Sequence, residues 1–277
     1  MTRLEDAHVL VTGGSSGIGL AIAARALERG ARVSLVARDS ERLARAEDTL
    51  ESGSAPTRVC AEPADVTDRE AFETALSLVV AQFGPVDVLV TSAGAARPGH
   101  FEELSPEVFE QQMRLNYFGT LQSIQAVLPA MIERTQGHLM LISSAAGIVG
   151  VVGYSAYSPA KFAVRGLAET LRAELKPHGI VVGCAFPADV DTPGLAAEAA
   201  TKPEATKTLS ARAKVRQPGE VAKAIVRGIE RDRVTVTSDA QTALLVRAAG
   251  LLEPMVRRTV DRHVRKAHRS GSSAPEQ

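Results

Sequence analysis

Tyr157 and Lys161 stand four residues apart in GYSAYSPAKFAVRGLAETL, residues 153–171, directly after a glycine-rich stretch. At that spacing two side chains on one helix are surface neighbours. An isolated phenol ionises near pH ~10, and a unit charge ~4 Å away at an effective dielectric near 20 is worth about 4 kcal/mol. That limit is roughly three pK units, so the ammonium, joined by a second positive charge close by, is expected to make Tyr157 a general acid–base near neutral pH. Pro159 suits the first turn of a helix, whose N–H groups have no partners. Ordinary helix packing is the alternative for any one of these residues taken alone.

Two more polar residues belong with the pair. Ser144 closes HLMLISSAAG at the carboxyl end of an apolar run, where a hydroxyl can donate to a carbonyl oxygen as negative charge develops on it. Ser143 is the other candidate for that substrate contact, although successive strand residues face opposite sides. Asn116, in RLNYFGT, either orients a water behind Lys161 or satisfies a helix kink.

The opposite end of the site reads as a nucleotide cradle. In VTGGSSGIGLAIAARAL, Gly13, Gly17 and Gly19 allow a tight turn and close backbone approach to a pyrophosphate, whose charge the following helix N-terminus favours. Ser15 and Ser16 can donate to phosphate or ribose, and Ile18 sits between the last two glycines. In SLVARDSERL, Arg38 and Arg42 are placed to grip a ribose 2′-phosphate, which points to NADP(H). Asp39 is the rival acceptor for a 2′-hydroxyl, and is read as an N-terminal helix residue. In PADVTD, Asp65 either accepts from the adenine amino group or caps a helix, while Val66 borders the ring. Ala93 and Gly94 in TSAGAA permit close approach to the cofactor.

These residues need a scaffold that brings strand ends together. Apolar runs near 8–12, 32–37, 57–61, 86–90, 138–143, 180–186 and 233–237 alternate with helical patterns near 17–29, 40–51, 68–83, 105–133, 156–176 and 218–231. That alternation predicts an α/β fold, a Rossmann-type doubly wound parallel sheet with helices on both faces. Residues 1–240 form one NADP(H)-binding domain in this reading, with the polar segment 187–217 as a substrate loop at the carboxyl edge of the sheet. A basic helical extension follows at 241–269, and 270–277 reads as disordered.

Composition narrows the class. The 32 basic and 32 acidic residues balance, which gives no sign of a nucleic-acid partner. Two cysteines, Cys60 and Cys184, in apparent strands argue against a disulfide framework and for a reducing cytoplasm. HVLVTGG reads directly as a first strand rather than a secretory signal, and no apolar run is long enough to span a membrane. The six histidines lack metal-ligand spacing, so no metal is expected. In the tail, Leu252, Val256, Val260 and Val264 form a stripe with arginines on the other faces, and Pro254 interrupts any helix arriving from 240. Such a helix either lies on a membrane surface, giving a cytoplasmic protein with peripheral contact, or packs on its own domain or a partner.

TGGSSGIG, DVTD, SAG, NYFG, ISS, YSPAK and PADVDT, in this order over about residues 7–240, resemble the short-chain dehydrogenase/reductase family. The resemblance implies that Tyr157 donates the proton, Lys161 binds nicotinamide ribose, Ser144 holds the carbonyl and Asn116 supports a proton relay. Val190 and Thr192 match the stretch that holds the carboxamide. TSAG departs from the family's usual N-N-A-G, which implies a weaker sheet brace at Thr91 and Ser92. Within the family, FPADVDTPGLAAEAATKPEATKTLS is similar to the branch that uses NADPH to reduce the C3 ketone of 3-ketosphinganine, a long-chain keto-amine lipid. A homo-oligomer, dimer or tetramer, follows by the same analogy. Two other readings share these residues: a reductase of a steroid, retinoid or 3-ketoacyl compound, and a non-catalytic NADP(H) sensor.

Overall fold

The computed structural model describes residues 1–51, 58–210 and 214–248, and within them the apolar runs assemble into one parallel sheet. Its strands are β1 His8–Thr12, β2 Arg32–Ala37, β3 Val59–Pro63, β4 Val88–Thr91, β5 Gly137–Ile142, β6 Ile180–Ala185 and β7 Thr235–Val236. Their spatial order is β3-β2-β1-β4-β5-β6-β7, so the winding direction reverses between β1 and β4. Ligands of open α/β sheets bind in the crevice beyond the carboxyl ends of the strands at such a reversal.

Alternation along each strand supplies two cores. Val9 and Val11 of β1, with Met140 and Ile142 of β5, face α1 Gly17–Leu27, α2 Ser40–Glu51 and α9 Pro218–Glu230. Leu10, Leu139 and Leu141 face the other way, onto α3 Arg69–Phe83, α5 Gly119–Glu133 and α6 Tyr157–Glu174. In α9, Val221, Ala222, Ile225, Val226 and Ile229 make the buried stripe, and Pro218 starts the helix where its missing N–H is harmless.

The helix expected across 105–133 is two helices joined by a widened turn. α4 runs Pro106–Met113, Arg114–Phe118 form a π-helical turn, and α5 continues from Gly119. The Gly119 N–H reaches back five residues to Arg114 O. Asn116 supplies an extra donor there, from Nδ2 to Gln112 O at 3.0 Å. The segment 187–217, expected to be irregular, holds two short helices, α7 Pro193–Glu198 and α8 Glu204–Ser210. Thr192 caps α7 by accepting from Leu195 N–H, and Pro193 occupies the first helical position.

A further helical stretch covers 240–248. The tail read as an amphipathic helix, with Pro254 and the disordered end at 270–277, lies outside the described residues. No helix among the described residues is long and apolar enough to cross a membrane.

Candidate active site

Beyond the carboxyl ends of β1, β2, β4 and β5 lies a cavity of about 410 Å³. The glycine loop and Arg38 line one end of it, and Ser144, Tyr157 and Lys161 line the other. The sheet reversal therefore brings segments more than a hundred residues apart in sequence to one crevice.

At the reactive end, α6 begins at Tyr157, so Pro159 falls in its first turn and Lys161 one turn on. Lys161 is buried, 5% exposed, and its Nζ donates to Ile142 O at 3.0 Å. That nitrogen lies 5.6 Å from the Tyr157 ring centroid. Burial lowers the Lys161 pKa to about 8. The balance at the phenol differs from the sequence expectation of a pKa brought down by the ammonium. Burial pushes Tyr157 above the usual phenol value, a hydrogen bond from Ser144 pulls it down, and the charges of Glu198 and Asp189 push it up again. Desolvation is the largest influence on both groups, and at the phenol it favours the protonated form.

The two serines separate. Ser143 Oγ, 3% exposed, donates its proton to Lys161 O at 2.8 Å and so ties β5 to α6. Ser144 Oγ accepts from Ala146 N–H at 3.1 Å, and Ser144 lines the cavity together with Tyr157. Asn116 is fully buried, its Nδ2 donating to Ala95 O and Gln112 O, both at 3.0 Å. Its Oδ1 has no hydrogen-bond partner among the described residues. That oxygen and Lys161 Nζ both face Gly94, where a Cβ would stand 2.7 Å from Oδ1 and 3.3 Å from Nζ. Asn116 thus serves the widened turn with its nitrogen and presents an acceptor beside Lys161 with its oxygen.

At the other end, Gly13 has φ +68°, and a Cβ there would meet Ala93 Cα at 2.7 Å. Only glycine fits, and the backbone stays open to a ligand. Ser16 stands at the N-cap of α1 without a side-chain capping bond, so its hydroxyl and the first-turn N–H groups are free for an anion. Ser15, Gly17, Ile18 and Gly19 line the same cavity, as do Val66, Ala93, Gly94, Val190 and Thr192. Arg38 and Arg42 flank it with exposed guanidiniums, paired loosely to Asp65 at 3.6 Å and Asp39 at 3.7 Å. Asp39 also accepts from Arg42 N–H, which makes it the cap of α2. Asp65 turns its own loop, accepting from Thr67 N–H at 2.8 Å, while Asp68 caps α3. At the end of β4 it is Thr12 Oγ1 that accepts from Ala93 N–H, at 3.3 Å, and the Thr91 hydroxyl has no partner among the described residues. Glycine contacts, open N–H groups and flanking guanidiniums suit a dinucleotide from pyrophosphate to nicotinamide.

Sequence reasoning overlooked a second polar group in the crevice. Tyr154, three residues before Tyr157 with ring centroids 5.8 Å apart, donates its hydroxyl to Glu198 Oε2 at 2.6 Å. Lys202 Nζ lies 3.6 Å from the same oxygen and 5.9 Å from the Tyr154 ring centroid. The Glu–Lys spacing of four after a Thr-Pro helix start was the available signal.

Comparison with known proteins agrees with this geometry. The short chain dehydrogenase family model matches residues 7–203. The chain belongs to that family. Members of the family are nicotinamide-dependent oxidoreductases acting on carbonyl or hydroxyl groups, and this chain is one of them. The chain is 43% identical over 228 residues to 3-dehydrosphinganine reductase of Danio rerio, covering 81% of this chain and 69% of the relative. It is 40% identical over 258 residues to 3-ketodihydrosphingosine reductase of Dictyostelium discoideum, covering 87% and 77%. Among solved structures in the family, a variant of actinorhodin polyketide ketoreductase crystallised with NADPH superposes with a TM-score of 0.77 at 32% identity, covering 86% of this chain and 97% of that one.

Proposed function

We propose that this chain uses NADPH to reduce the C3 ketone of 3-ketosphinganine to the alcohol, giving sphinganine. The observation that carries the reading is geometric: Ser144, Tyr157 and the buried Lys161 line one end of the crevice whose other end is the glycine loop and Arg38. Relatives named for this reaction, at 40% identity or more over most of the chain, supply the substrate.

NADPH, when bound along this crevice, would supply the hydride that the ketone carbon needs. Ser144 Oγ donates to the ketone oxygen, and Tyr157 gives its proton to that oxygen, so the carbonyl becomes a secondary alcohol. With a pKa of about 8, Lys161 is cationic at neutral pH and favours the phenolate that remains. Asn116 Oδ1, without a partner among the described residues, would accept from a water behind Lys161 and so support the relay that returns the proton. Ser143 holds β5 against α6 and does not touch substrate in this reading. Arg38 and Arg42 take the 2′-phosphate, Asp65 and Val66 border the adenine, and Val190 with Thr192 borders the carboxamide.

The domain reading extends the same way, with residues 1–240 as one NADP(H) unit, 187–217 over the substrate and 241–269 as a basic extension that touches the membrane surface of a cytoplasmic homo-oligomer. Purified protein given NADPH and 3-ketosphinganine is expected to consume nicotinamide absorbance and release sphinganine in equal amounts. Turnover confined to steroid, retinoid or 3-ketoacyl substrates contradicts the assignment, and NADPH binding without turnover of any ketone makes the protein a sensor.

A further inference from the structure

Glu198 is an expensive residue to place where it is. Its side chain is 16% exposed, at the end of α7, and burial raises its pKa. A buried carboxylate is tolerated only with partners. The Tyr154 hydroxyl and Lys202, whose side chain is 7% exposed, supply them, and both contacts run to Oε2. Oε1 carries no hydrogen bond among the described residues, and Glu198 lines the cavity that holds Tyr157. Asp189 lines it as well and makes no ion pair among the described residues. Of these two carboxylates only Glu198 is paired with a cation among the described residues, Lys202, and both hold negative charge near the phenol, while Lys161 Nζ is tied to Ile142 O of β5.

A ketone flanked only by hydrocarbon gains nothing from this arrangement and strips water from an acceptor it cannot satisfy. A cation bonded next to the carbonyl gains a charge-assisted hydrogen bond. We propose that Glu198, held by Tyr154 and Lys202, receives through Oε1 the ammonium of an α-amino ketone and so selects amine-bearing substrates. This rests on the reductase reading above and adds the residue that distinguishes its substrate from other long-chain ketones. The arrangement also couples binding to chemistry. The charges of Glu198 and Asp189 hold the phenol proton, and a docked ammonium offsets them as that proton must leave.

The test uses the full chain with NADPH and two substrates, 3-ketosphinganine and its 2-deamino counterpart. The quantity read is the ratio of their kcat/KM values, in which any unfolded fraction cancels. Wild type is expected to favour the amine, and Glu198→Gln to lower the ratio about 30-fold, the loss of one charged hydrogen bond. Glu198→Asp, which keeps the charge, is expected to recover part of it. A wild type that reduces 3-ketosphinganine without favouring it, or a ratio unchanged in Glu198→Gln, overturns the role of Glu198 and leaves the reductase reading standing. A wild type that reduces neither substrate overturns both.

Discussion

Desolvation is the largest influence on the reactive residues. Lys161 loses water and drops to about 8, and Tyr157 loses water and rises. For a reductase this is a workable pair, since the acid must hold its proton until the ketone oxygen becomes basic. The other decisive residue contact is ionic. Arg38 and Arg42 are paired loosely enough with Asp65 and Asp39 that both guanidiniums keep donors for a phosphate. Replacing Arg38 by Asp removes one charged hydrogen bond and adds repulsion. The ratio of kcat/KM with NADPH to that with NADH is expected to fall about 100-fold or more. An unaltered ratio in steady-state kinetics removes this arginine from cofactor selection.

Elements position these residues through close approaches that side-chain size forbids elsewhere. The turn after β4 passes so near the widened turn at Arg114–Phe118 that Gly94 has no room for a Cβ beside Asn116. Gly94→Ala is expected to displace Asn116 Oδ1 or Lys161 Nζ and to lower kcat at least about 10-fold, with the circular dichroism spectrum retained. Unchanged kcat shows that the approach is not needed. Much of this level was legible in sequence. β1 and β2 lie where the apolar runs place them, because strands buried on both faces are mostly apolar and their few polar residues, such as His8 and Ser34, pair with each other. β3 lies two residues beyond its expected run, because Glu62 and Pro63 pair at an edge where polarity is tolerated. The π-helical turn was not legible, since one widened turn leaves the helical periodicity of 105–133 nearly intact. Nor was the Tyr154–Glu198–Lys202 network, whose Glu and Lys sit in an Ala- and Thr-rich stretch that looks like a loop. Ser143 and Ser144 were ambiguous for a related reason: the side a serine faces at a strand end depends on the turn that follows.

For the molecule as a whole, buried histidines link stability to acid. His138 is wholly buried, its Nδ1 2.9 Å from Thr2 Oγ1 and its Nε2 without a partner among the described residues, and burial lowers its pKa to about 4. His8, which joins Gly84 O to the Ser34 hydroxyl, is also lowered by burial. Between pH ~6.5 and ~4 the unfolded chain binds a proton at His138 that the folded chain refuses, so stability falls as pH falls through that window. The loss reaches about 3 kcal/mol from this residue at its lower end. Denaturant titrations across the window are expected to follow that slope, and His138→Gln to flatten it. A slope unaltered by the substitution contradicts the assignment.

The whole assembly, sheet reversal, crevice and paired residues, exists in this account to deliver one proton from Tyr157 to a ketone oxygen. Tyr157→Phe removes that proton and changes little else in a half-buried ring. The decisive measurement is kcat for NADPH oxidation by this variant with 3-ketosphinganine, alongside its affinity for NADPH. The account predicts a loss of about 10²- to 10⁴-fold in kcat with NADPH affinity within about 3-fold of wild type. Turnover near the wild-type rate contradicts it.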